Sequence, residues 1–214
     1  MKKLILTTSF SALSMLLVAC GGTNDTSKQE QAAKQENAEK TSTAPTIDKK
    51  AAIEEAKKIT KDFTSTLKAE LQKAMQQGGP INALSVCNTK AIPITTEAAK
   101  KHHALVSRVS LKNRNPANVP NEWQKKVLED FDARAAKGED VVKMAYAEIV
   151  DNNGKKQLRF MKAMPTGDVC LKCHGTNISP EVQAKLKELY PDDKATGYKK
   201  GQVRGAVVVL KDLN

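Results

Sequence analysis

Residues 21–50 contain no aromatic residue and a single branched aliphatic, Ile47. Such a segment cannot bury enough apolar surface to offset the entropy of ordering it, so a packed domain starts only near Asp48. The apolar stretch from Leu4 to Ala19 is too short, and wrongly flanked, for a permanent membrane span. With four cysteines and three histidines, the chain has one C-x-x-C, at Cys170 and Cys173. No second C-x-x-C and no H-x-x-x-H pair accompanies it, which argues against a structural zinc site. No internal repeat is present.

What is there begins with a leader. Lys2 and Lys3 precede the apolar stretch, and Leu17-Val18-Ala19-Cys20 ends it with a large apolar residue, small ones and a cysteine. The pattern is a secretory signal over residues 1–19 that looks like the lipobox of bacterial lipoproteins, with Cys20 as the lipidated mature N-terminus. Residues 20–50 then read as a lipidated cysteine with a flexible tether, and residues 51–214 as one domain of ordinary size. The expected location is extracytoplasmic, as a membrane-anchored lipoprotein in the outer membrane or facing the periplasm. Without Lys2 and Lys3 the chain keeps 33 Lys+Arg against 24 Asp+Glu, a formal +9. That charge suits an anionic membrane surface or an acidic partner, whereas nucleic acid is a poor partner for an exported protein. Both signs are interleaved along the helices, as on solvated faces.

Periodicity organises the domain. Ile59, Phe63, Leu67, Leu71 and Met75 recur every four residues and predict an amphipathic helix that Gly78-Gly79 ends. Pro80 opens a second helix with Ile81, Leu84, Cys87 and Ala91 on one face. Ile92-Pro93 is expected to break or kink it, leaving a short piece to His102. Residues 105–111 alternate as a strand, and Asn121 caps a helix bearing Trp123, Val127 and Phe131. Runs 141–150 and 156–164 flank Asn153-Gly154, a hairpin signal. Ser179-Pro180 opens another helix, and "VRGAVVVL" closes the chain as a buried strand. The order predicts an α+β domain: a small antiparallel sheet with helices on one face.

The chemistry concentrates in "CLKCHG". A thioredoxin-like dithiol belongs near the start of a βαβ unit and needs no adjacent histidine; here the motif follows a hairpin. A c-type heme uses every residue: Cys170 and Cys173 form thioethers, and His174 offers an imidazole to the iron. An exported chain suits that chemistry, and one motif implies one covalent heme c. Cysteine accounting then leaves Cys87, which is either a buried inert thiol or a ligand.

Four blocks carry a family resemblance: "VCNTKAIPI" (86–94), "SRVSLKNRNPANVPNEWQ" (107–124), "CLKCHG" (170–175) and "LYPDDKATGYKKGQVRGAVVV" (189–209). They resemble the single-heme, PAS-like c-type heme domains of bacteria, long listed as a domain of unknown function. The resemblance spans roughly residues 55–212. It implies a PAS-like antiparallel sheet with N-terminal helices, and heme in a pocket against the sheet. It also implies that Cys87 approaches the iron opposite His174, and that the protein acts in redox or small-molecule sensing or in electron transfer. A redox partner protein or a small gas or oxidant is the expected counterpart.

Other residues have candidate roles around such a heme. Arg108 and Arg114 suit its propionates, and Arg114 equally suits an anchor for its own loop. Tyr198 and Arg204 are weaker candidates for the pocket. His102 and His103 read as solvated. Met161 and Met164 are possible iron ligands whose strand position favours packing instead. A peroxidase-type enzyme is disfavoured because no distal histidine is evident, and a gas-sensing module needs a sixth ligand that leaves readily.

Overall fold

The computed structural model describes residues 47–213. The expected signal peptide, Cys20 and nearly all of the expected tether lie outside the described residues.

Helix α1 (Lys49–His102) opens at Asp48, whose carboxylate accepts the Ala51 N–H at 3.0 Å. The helix reverses at Gly78-Gly79, where Gly79 takes φ +64, a left-handed conformation that needs no side chain. The expected break is therefore present, and it makes a helical hairpin. Asn82 Nδ2 donates across it to the Ala74 carbonyl at 3.0 Å. At the far end Asp62 accepts from Lys101 at 2.9 Å and pairs with His102 at 3.2 Å. His102 is thus held by a carboxylate rather than solvated, while His103 is exposed in a left-handed helix cap. Of the break or kink expected at Pro93, the break does not occur: the backbone stays helical through it. Pro93 withholds an N–H from the Thr89 carbonyl, but both residues are exposed, so water can satisfy that group, and Ala91 and Ile94 keep the inner face packed.

Strand β1 (Leu105–Val109) is followed by helix α2 (Glu122–Ala136), where Asn121 and Gln124 form a capping box. Strands β2 (Ala145–Asn152) and β3 (Lys155–Pro165) are joined at Asn153 (φ 55) and Gly154 (φ 81), the expected hairpin turn. Residues 141–143 form a 3₁₀ turn instead of the start of β2. Short helix α3 (Leu171–His174), helix α4 (Pro180–Leu189) and strand β4 (Val203–Leu213) complete the domain. The sheet order is β1-β4-β3-β2, antiparallel throughout. The fold is α+β with N-terminal helices, as expected.

Helices do not lie on one face only. Val207 and Val209 of β4, with Leu158 and Phe160 of β3, pack against Ile59 and Phe63 of α1. The intervening Ala206 and Val208, with Met161 and Ala163, pack against Leu128 and Phe131 of α2. A central strand covered on both sides needs apolar residues at successive positions, which accounts for the unbroken valine run. The α1 stripe divides accordingly: Ile59 and Phe63 enter the sheet core, and Leu67, Leu71 and Met75 continue beyond it as cavity walls.

Candidate functional site

After β3 the chain slips register between Met164 and Pro165 and turns into a 3₁₀ segment, Asp168–Cys170, that runs directly into α3. Cys170, Cys173 and His174 therefore share two tight turns. Gly175 closes α3 with its N–H on the Leu171 carbonyl at 3.0 Å; a Cβ there would sit 2.6 Å from that oxygen. A second segment straps the motif down. Tyr198 N–H donates to the His174 carbonyl at 2.8 Å, and Gly197 N–H to that of Gly175 at 2.9 Å.

The imidazole is fixed by the same strap. His174 Nδ1 lies 2.6 Å from the Ala195 carbonyl oxygen, which can only accept, so Nδ1 carries the proton and Nε2 keeps its lone pair. Burial, reinforced by Arg204 and Arg114, lowers the His174 pKa to about 2. A neutral imidazole with its outer nitrogen bonded to a carbonyl is the form that ligates a metal.

Two adjoining cavities, of about 660 Å³ and about 200 Å³, lie between α1, the sheet and the motif. Cys170, His174, Arg108, Arg114 and Arg204 line both, with Leu67 and Leu71 as apolar wall. Cys87 and Cys173 line the smaller one. The structure thus gathers all three cysteines of the described residues, unbridged, around one histidine. Burial pushes the Cys87 thiol up, while Arg108 and Arg114 pull it down.

The arginines take different roles. Arg108 lines both cavities and has no hydrogen-bond or ion-pair partner among the described residues. Arg114 is buried and occupied: it pairs with Asp193 at 2.9 Å and donates to the Cys173 carbonyl at 2.6 Å. It is a loop anchor, the alternative named for it above. Arg204 Nη1 donates to Ser110 Oγ at 2.9 Å, and its buried Nε has no partner. Three guanidiniums line both cavities and Lys57, Lys61, Lys68 and Lys162 the wider one, with no carboxylate among the lining residues, which leaves the site positive. That charge, the apolar walls, the thiols and the neutral imidazole fit an apolar, carboxylate-bearing group with an iron centre.

Met164 lines the wider cavity, whereas Met161 is buried in the α2 core on the other face of the sheet. His103 lines neither. Sequence reasoning missed Tyr190, which lines the Cys87 cavity and lies beneath Arg114, and the Asp193–Ala195 segment that receives Arg114 and His174. Both sit inside the "LYPDDKATGYKK" block, but nothing in their spacing points to a partner.

A family model described as Tll0287-like matches residues 20–210. Among solved structures, the crystal structure of the cyanobacterial heme-protein Tll0287 is similar in fold, with a TM-score of 0.55 and 20% identity. The likeness covers 77% of this chain and 94% of that one. No curated protein matches the chain.

Proposed function

We propose that this chain, which belongs to the Tll0287-like family, holds one covalent c-type heme and serves in electron transfer or redox sensing outside the cytoplasm. Support for heme comes from the name of the relative that shares its fold and from the chemistry of the cavity. The observation that carries the reading is the His174–Ala195 hydrogen bond, which leaves Nε2 unprotonated on a side chain lining a cavity with Cys170, Cys173 and Cys87.

When bound, heme supplies a one-electron couple between ferric and ferrous iron. Cys170 and Cys173 would hold it covalently, and His174 and Cys87, which line the same cavity, would supply ligands to its iron. The strap residues Gly197 and Tyr198 keep the motif in place, and Ala195 orients the imidazole. Arg108, without a hydrogen-bond or ion-pair partner among the described residues, would be the first to receive a propionate, ahead of Arg114, which is paired with Asp193. Leu67, Leu71 and Val207 give the cavity an apolar wall for the macrocycle. A lipid on Cys20 would tether the domain at a membrane surface behind residues 21–50.

Absorption and EPR spectra of the matured protein in both redox states test the reading. A low-spin ferric spectrum with thiolate character is expected. A matured protein without heme overturns it.

A further inference from the structure

The guanidinium of Arg114 and the imidazole of His174 share an acceptor. His174 Nδ1–H donates to the Ala195 carbonyl at 2.6 Å, and Arg114 Nη2 approaches the same oxygen at 3.4 Å. Nη2 also holds the carbonyl of Cys173, the residue before the histidine, at 2.6 Å. Asp193 closes the circuit: one carboxylate oxygen pairs with Arg114, and the other accepts the Ala195 N–H at 2.8 Å. Both charged side chains are about nine-tenths buried, at 9% exposure each. In that setting their fields are weakly screened.

We infer that the Arg114–Asp193 pair sets the electron donation of His174 to its iron, through the shared Ala195 carbonyl, and so tunes the reduction potential. The inference rests on the heme reading above. A carbonyl that also receives a guanidinium is a poorer acceptor for the Nδ1–H. The imidazole then acquires less imidazolate character and stabilises ferric iron less. The positive charge of Arg114 disfavours the more positive ferric state directly, and the negative charge of Asp193 favours it. The two partners of one ion pair therefore push the potential in opposite directions. Arg114 is a positioning residue that offsets the thiolate of Cys87.

The test is potentiometry on the matured holoprotein and its variants, with heme content and low-spin absorption measured first on each. Arg114→Gln is expected to lower the potential. Asp193→Asn, which keeps an oxygen for the Ala195 N–H, is expected to raise it, by about tenfold in the ferric-to-ferrous ratio, or 59 mV for one electron. The double variant should return towards wild type. If both single variants shift the potential the same way, or neither shifts it while low-spin heme is retained, the pair is only a clamp and the inference is overturned. Should Arg114→Gln fail to fold, Asp193→Asn alone decides: an unchanged or lowered potential contradicts the inference. A wild-type protein without heme refutes the heme reading instead, so the two failures are distinct.

Discussion

Cys87, on the second half of α1, and His174, at the end of α3, line the same cavity of about 200 Å³. They share it because α1 folds back at Gly78-Gly79 while the strap at 195–198 holds the motif in place. As a ligand, the Cys87 thiolate would stabilise ferric over ferrous iron. Cys87→Ala should therefore abolish the thiolate signature of the ferric spectrum and raise the reduction potential. An unchanged ferric spectrum contradicts the assignment and moves attention to Met164, which lines the neighbouring cavity.

Gly205 sits at the register slip of β4 with φ +153, and a Cβ there would collide with the Val109 carbonyl oxygen. Gly205→Ala forces both a strained backbone and a displaced β1. A loss of about 1–3 kcal/mol or more is expected, read from the denaturant midpoint. An unchanged midpoint would show that β1 yields without cost.

Asp62 ties the two ends of the α1 hairpin together, and its hydrogen bond from Lys101, aided by the charge of His102, holds its carboxyl below the ordinary value of 3.8. A depressed folded-state pKa contributes stability above the unfolded value, and that stability is lost as pH falls through the folded one. Asp62→Asn should lower the melting temperature at neutral pH, and the gap to wild type should close as the pH falls below the ordinary carboxylate value of 3.8. A gap that stays constant with pH contradicts the pairing.

How far the sequence revealed this site depended on distance along the chain. Local signals read well: the four-residue stripe of Ile59 to Met75, the Asn153-Gly154 turn, and the contiguous Cys170, Cys173 and His174. Signals between distant residues did not. Arg114 looked equally fit for a propionate and for a loop anchor because its partner, Asp193, lies in a segment without periodicity. The valine run of β4 announced burial, yet placing helices on both faces of the sheet required knowing that α1 and α2 pack on opposite sides. Pro93 does not end its helix because the Thr89 carbonyl it leaves without a donor is exposed to solvent, which the sequence does not reveal.

The proposed lipidation at Cys20 makes a separate prediction. Cys20→Ser should leave an unprocessed or mislocalised precursor, while a chain beginning at Asp48, with an ordinary export signal, should be soluble and still bind heme. Mature wild-type protein that carries no acyl chain and fractionates with the soluble periplasm contradicts the anchor.

Covalent attachment tests the central claim most directly. Protein matured in cells competent for c-type heme attachment should be carried through denaturing electrophoresis and acid-acetone extraction. The heme should stay with the wild-type chain and be lost when Cys170 and Cys173 are both replaced by alanine. Complete extraction of heme from the wild type, or stoichiometric zinc in its place, would contradict the account.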